Sequence, residues 1–235
     1  MTLDNQKVVI VGGTAGIGLA VAKAVVSQGA SVVVASRSQD KVEQAKAVIN
    51  GVVEGYTANV TNEQSIQSLF DRIGEFDHLV LTPGEPVTFT SFLQSDLSYV
   101  RRIFETKFWG QYLCIQYGAA RIKRNGSITL MSGSGSPSKG TSALACINGA
   151  VEALSKTLAV ELAPVRVNVV RPGMIDTDLW SKFPLQERHQ IYGKVGKELL
   201  VGRIGTPEEI AQTYLYLMNS GFTTGTALTI DGGTL

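Results

Sequence analysis

Two periods of apolar and polar residues take turns along this chain. Lys7–Val11 is a short β-branched run of the kind that suits a strand buried on both faces. Gly16–Gln28 then reads as a helix, with Ile17, Ala20, Val21, Ala24 and Val25 along one side. The same alternation predicts strands at Ser31–Ala35, Val52–Tyr56, His78–Leu81, Ser127–Met131, Arg166–Val170 and Ala227–Ile230. Helices are predicted at Asp40–Ile49, Asn62–Ile73, about 97–123, Thr141–Leu162 and Pro207–Met218. Thr61 or Asn62 is the expected N-cap of one of these, and Thr206 followed by Pro207 opens the last. Repeated strand–helix–strand units imply a parallel sheet covered by helices on both faces, an α/β, Rossmann-type architecture. No break in composition and no repeat divides residues 1–235, so a single domain is expected. One long stretch, about 176–205, falls outside the alternation and is expected to be a lid over a substrate.

Composition narrows the partners. With 21 basic and 20 acidic residues the formal net charge is +1, which gives no reason to expect nucleic acid or an anionic membrane. The first residues lack a signal pattern, and no apolar run approaches the roughly 20 residues of a bilayer span. A cytoplasmic location is expected. Cys114 and Cys146 fall in predicted helices without a CxxC neighbour, and are read as buried, reduced thiols.

Candidate chemistry begins between the first strand and the first helix. Gly12, Gly13, Gly16 and Gly18, interleaved with Thr14 and Ile17, have the spacing G-x-x-x-G-x-G counted from Gly12. Glycines there let the backbone turn tightly and approach a pyrophosphate, while the helix N-terminus offers free N–H groups and a partial positive charge. The strand-before, helix-after context is what a dinucleotide site requires. At the end of the second strand stand Ser36, Arg37 and Ser38 rather than an acidic residue. A guanidinium pairs with a 2′-phosphate, so NADP(H) is expected over NAD(H).

The chain resembles the short-chain dehydrogenase/reductase family over its full length, through VGGTAGIG, DHLVL, INGAVEALSKTLAVELAP, RVNVVRPGMIDT and GRIGTPEEIA…TGTALTIDGG. The resemblance implies a doubly wound sheet of about seven parallel strands. It also implies cofactor contacts near Asn59 and Val60, at Gly84, and at Pro172, Gly173, Ile175 and Thr177. A homodimer or homotetramer acting on a small-molecule substrate is implied too.

Departures from the family pattern bear on the chemistry. The family carries a Tyr and, four residues on, a Lys, one helical turn apart. The Lys lowers the Tyr pKa and the Tyr exchanges a proton with the substrate oxygen. Alignment on GAVEAL puts Leu144 and Asn148 at those positions. The family serine maps to Gly133, flanked by Ser132 and Ser134, and the family asparagine of the preceding helix maps to Lys107. The NNAG strand end has become Leu81-Thr82-Pro83-Gly84, and Val11 stands where the glycine loop begins with threonine.

Three readings follow. One is an active reductase of carbonyl or quinone-like compounds, with Lys107, Ser132 and Ser134 as its rebuilt catalytic group. The second is a catalytically silent NADP(H)-binding protein, a redox sensor or partner subunit. The third is a different, non-redox reaction on the same scaffold. His189 and Tyr192 in the lid are possible proton donors, though a helical surface face explains them better, and Asp176, Thr177 and Asp178 are expected to cap a helix from Leu179. Trp180, Phe183, Leu185 and Ile191 make the lid apolar, which hints at a hydrophobic substrate.

Overall fold

The computed structural model describes residues 2–135 and 138–234. Its strands are β1 (Lys7–Val11), β2 (Ser31–Ser36), β3 (Val53–Thr57), β4 (Phe76–Leu81), β5 (Ile122–Met131), β6 (Arg166–Pro172) and β7 (Ala227–Ile230). They form one parallel sheet in the order β3-β2-β1-β4-β5-β6-β7. The helices are α1 (Gly16–Ser27), α2 (Gln39–Val48), α3 (Glu63–Ile73), α4 (Leu97–Phe104), α5 (Gly110–Gly118), α6 (Ser142–Glu161), α7 (Leu185–Glu198) and α8 (Pro207–Asn219).

The period of two along each strand sorts its residues between two cores. Val9 and Val11 of β1 meet Ile66 and Phe70 of α3, Ile115 of α5, and Ile147 and Val151 of α6 in one buried cluster. Val8 and Ile10 face the opposite way, into a cluster with Val21 and Val25 of α1, Ala45 of α2, and Ile210 and Leu217 of α8. Each face of the sheet is thus covered, which is why β1, β2 and β4 near its centre read as largely apolar runs. Of the two caps expected for α3, Asn62 serves: its Oδ1 accepts from the Ser65 N–H at 2.8 Å. Thr206 and Glu209 close a reciprocal capping box on α8.

The stretch expected as one helix over 97–123 is broken into α4, a π-helical turn at Glu105–Trp109, α5 and a 3₁₀ turn at Ala119–Arg121. Buried Gln111 follows the π-helical turn and ties it to β5. Its amide donates to the carbonyls of Lys107 at 2.6 Å and Met131 at 3.1 Å, and its oxygen accepts from the Met131 N–H at 3.0 Å. Lys123 lies in β5, not in a helix. Phe76 pairs with Ile122 but His78 with Ser127, so residues 123–125 bulge out exposed before the regular ladder begins.

Two other expectations are corrected. Cys114 is buried, but Cys146 is exposed, because the sheet-facing stripe of α6 runs through Ile147, Val151 and Ser155. The 20 residues of α6 are also long and apolar enough by composition to cross a bilayer, contrary to the expectation that no segment approaches a span. In the fold this helix packs on β5 and β6 and carries Glu152 into an ion pair with Arg171 at 3.0 Å.

Buried His78 sets a pH limit on stability. Its ring nitrogens lie 2.8 Å from Ser127 Oγ and 2.6 Å from Gln6 Oε1. Desolvation, then the charge of Arg166, lower its pKa from 6.5 to about 4. Between those values the unfolded chain binds a proton that the folded one refuses. The stability is therefore present above pH 6.5 and lost as pH falls towards 4, by about 3 kcal/mol. Urea midpoints measured at pH 7 and 4.5 should fall further for the parent than for His78→Gln. Equal falls would show that His78 does not carry the effect.

Candidate active site

In a parallel sheet all carboxyl ends lie on one edge, and the residues singled out in the sequence follow those ends. The Gly12–Gly18 loop leaves β1, Ser36 closes β2 and Arg37 follows it, Asn59 and Val60 follow β3, and Gly84 follows β4. Ser132 and Ser134 follow β5, and Pro172, Gly173, Ile175 and Thr177 lie at or after the end of β6. The strand order reverses direction between β1 and β4, and that is where an open α/β sheet forms a crevice.

The glycine loop fits a pyrophosphate. Gly12 and Gly16 have φ of 90° and 49°, values that side-chain-bearing residues rarely adopt. A Cβ on Gly18 would stand 2.2 Å from the Gly12 carbonyl oxygen and 2.6 Å from Thr82 Oγ1. No side chain caps the N-terminus of α1, so its first-turn N–H groups are available to an anion. Thr14 is half-buried within the loop, and Ile17 turns into the main cavity. Further along the edge, Asn59 is bound up in a turn, its Oδ1 accepting from the Thr61 N–H at 3.1 Å and hydroxyl at 3.0 Å. Val60 is buried, with its side chain against Gly110. Neither lines the cavity.

That cavity, of about 720 Å³, lies at the ends of β4, β5 and β6. Lys107, Ser132, Ser134, Leu144 and Asn148 all line it, as do Gly84, Pro172, Gly173, Ile175 and Thr177. The π-helical turn that Gln111 pins to β5 carries Lys107, whose ammonium donates to the Ser132 carbonyl and to Asn148 Oδ1, both at 3.1 Å. The Asn148 amide in turn donates to the Gly133 carbonyl at 3.2 Å. Lys107 faces the cavity half-buried, and desolvation lowers its pKa to about 8.

The two flanking serines separate. Ser132 turns its hydroxyl away to donate to Glu152 at 3.1 Å, and Arg171 neutralises that carboxylate. Ser134 donates its backbone N–H to the Pro172 carbonyl at 3.0 Å, but its buried hydroxyl has no partner among the described residues. Leu144 and Asn148 stand one turn apart on α6 and present an apolar and a neutral polar group to the cavity.

The lid is more ordered than its sequence suggested. The helix expected from Leu179 is a single 3₁₀ turn, Asp178–Trp180, with Thr177 as its cap, and α7 follows. Only Leu179 and Trp180 of its apolar residues before α7 reach the cavity; Phe183, Leu185 and Ile191 do not. Trp180 stacks on Phe89 at 6.0 Å and donates its indole N–H to the Ile175 carbonyl at 3.0 Å. The lid's ends are tied by hydrogen bonds of Gly205 with Met174 and Asp176. His189 is exposed, and Tyr192 packs edge-on against Trp180 at 6.5 Å; neither lines the cavity. Desolvation and the neighbouring Asp176 push the Tyr192 pKa up to about 12, which makes it a poor acid.

A family model described as enoyl-(acyl carrier protein) reductase matches residues 12–234. The short-chain dehydrogenase/reductase ATR9 of Stachybotrys chlorohalonatus is 32% identical, over 99% of this chain and 98% of its own. The chain belongs to the short-chain dehydrogenase/reductase family. A solved small-chain dehydrogenase in complex with NADPH superposes on this short-chain dehydrogenase/reductase with a TM-score of 0.85 at 33% identity, covering 98% of both chains. MalC Reductase/Diels-Alderase from Malbranchea aurantiaca superposes with a TM-score of 0.91 at 28% identity, over 98% of this chain and 96% of that one.

Several residues of the site escaped the sequence reading. Glu85, beside Gly84, is held by Arg102 Nε at 3.0 Å and by the Thr106 hydroxyl at 3.1 Å, and lies 3.4 Å from Arg37. Gln111 positions Lys107 from one turn away, and Glu152 with Arg171 claims Ser132. Gln111 and Glu152 offered only their polarity or charge inside predicted helices, and Glu85 and Arg171 lie outside the predicted elements.

Proposed function

We propose that the protein is an NADP(H)-dependent oxidoreductase that reduces a carbonyl or quinone-like small molecule, using Lys107 in place of the family's Tyr and Lys. The observation that carries this reading is a half-buried lysine of lowered pKa on the wall of a cavity that is also lined by Ser134, whose hydroxyl has no partner among the described residues. Gly12, Thr14, Gly16, Ile17 and Gly18 would hold the pyrophosphate, and Ser36 and Arg37 the 2′-phosphate. Asn59 and Val60 would meet the adenine end. Gly84, Pro172, Gly173, Ile175 and Thr177 would hold the nicotinamide end. When bound, the cofactor supplies the hydride.

The remaining work falls to side chains of this chain. An ammonium has three donors, and Ser132 and Asn148 take two from Lys107, leaving one for a substrate oxygen. Its charge stabilises the developing alkoxide in a site that Trp180 helps to shield from water. With a pKa of about 8 the group is mostly protonated at neutral pH and gives up its proton readily. Ser134 is free to donate a hydrogen bond to the same oxygen, while Ser132 orients the lysine through its carbonyl. The lining of Val87, Phe89, Ile103, Leu144 and Trp180 favours an apolar substrate.

The same contacts favour a second reading, a silent NADP(H)-binding protein in which Lys107 merely ties α6 to β5. Titration of NADPH and NADH by cofactor fluorescence, followed by turnover of aldehydes, ketones and quinones, separates the two. Tight NADPH binding with turnover is expected. A tight complex inert to every acceptor favours the silent protein, and binding of neither cofactor removes both readings. As part of the same proposal the protein is cytoplasmic and forms a homodimer or homotetramer. Exposed Trp109, Tyr112 and Val160 around α5 and α6 support such an assembly.

A further inference from the structure

Glu85 is a charged group of the cofactor edge for which the reading above has no use. It sits directly after Gly84, lines the cavity, and its side chain is only 12% exposed. Three groups converge on its carboxylate. Arg102 of α4 reaches one oxygen at 3.0 Å, and the buried Thr106 donates to the other at 3.1 Å. Arg37, from the end of β2, approaches that second oxygen at 3.4 Å.

The three contacts are unequal. Thr106 is buried in the turn that also carries Lys107, and the Arg102 bond is short, so these two anchor the carboxylate. The Arg37 side chain is 56% exposed, little more than the 49% of Arg102, but its contact is the longest of the three, so this is the leg that is given up most readily. β1 lies between β2 and β4, so the Arg37–Glu85 pair bridges the crevice just where the glycine loop opens.

We propose that Glu85 is a specificity-determining residue: it competes with the 2′-phosphate of the cofactor for Arg37 and so narrows the preference for NADP(H) over NAD(H). The inference rests on the assignment of Arg37 to that phosphate. NADP(H) must draw Arg37 away from Glu85 and thus loses the worth of that pair from its affinity. NAD(H) carries no 2′-phosphate, makes no claim on the guanidinium, and leaves the pair standing. After the exchange Glu85 keeps Arg102 and Thr106, so its own charge stays compensated.

Glu85→Gln keeps the size and the hydrogen bond with Thr106 while removing the charge. Dissociation constants for NADPH and NADH, measured by calorimetry on the parent, Glu85→Gln, Arg37→Ala and the double variant, test the proposal. A partly exposed pair is worth up to about 1 kcal/mol, so the Glu85→Gln constant for NADPH should fall by up to about 5-fold while that for NADH stays unchanged. In the Arg37→Ala background the same substitution should change neither constant. Tightening that persists without Arg37, equal changes for both cofactors, or no change for NADPH would each overturn the role of Glu85. Arg37→Ala binding NADPH as well as the parent does would instead remove the phosphate assignment beneath it, and the proposal with it.

Discussion

Lys107→Met is expected to lower kcat by about 10²- to 10⁴-fold, the range that a positioned proton donor contributes. Methionine fills a similar volume and loses the charge, so α6 and β5 stay packed while the substrate oxygen loses its proton source. The pH profile distinguishes this from a loss of positioning. In the proposed reaction Lys107 serves as an acid in its ammonium form, and desolvation lowers its pKa to about 8. Turnover in the reducing direction should therefore hold steady below pH 8 and fall as pH rises through it. The residual activity of Lys107→Met should lack that limb. Unchanged turnover and unchanged cofactor affinity in the variant would remove Lys107 from the mechanism.

Gly18→Ala should act on the cofactor and the fold together. Its new methyl would meet a backbone oxygen at 2.2 Å, and that oxygen belongs to Gly12 of the same loop. A flexible side chain could step aside, but here the loop or α1 must shift. Overpacking of this kind costs about 1–3 kcal/mol. Taken from the binding face, that corresponds to about 5- to 150-fold in NADPH affinity. Fluorescence titration alongside thermal melting checks both effects. NADPH bound with parent affinity would mean that this loop does not hold the pyrophosphate.

Much of the architecture was legible because buried parallel strands and amphipathic helices leave different periods in a sequence. β1 and β7 begin and end where their apolar runs do, and α3 and α8 start at residues whose side chains cap them. The glycine loop was legible for a related reason, since only glycine fits where the backbone turns with positive φ or passes within contact of Thr82. The helical stretch after β4 misled because a period near 3.6 does not reveal a π-helical turn. Beside that turn Gln111 meets the end of β5, 20 residues away in the chain. Exposed Cys146 misled because an apolar helix does not announce which stripe faces the sheet.

What the sequence determined by itself was the succession of the seven strands and most of the helices between them, the glycine loop, and the presence of Leu144, Asn148 and Lys107 among its residues. All of these are local properties of spacing and residue type. Only the tertiary structure decided which polar groups are free to do chemistry. It gave Ser132 to Glu152, left Ser134 without a partner among the described residues, set Lys107 on the cavity wall with a lowered pKa, and joined Arg37 to Glu85 across the crevice. Those outcomes depend on burial and on partners 20 to 48 residues apart in sequence. Desolvation and pairing are set by what surrounds a group in space, and no spacing along the chain encodes them.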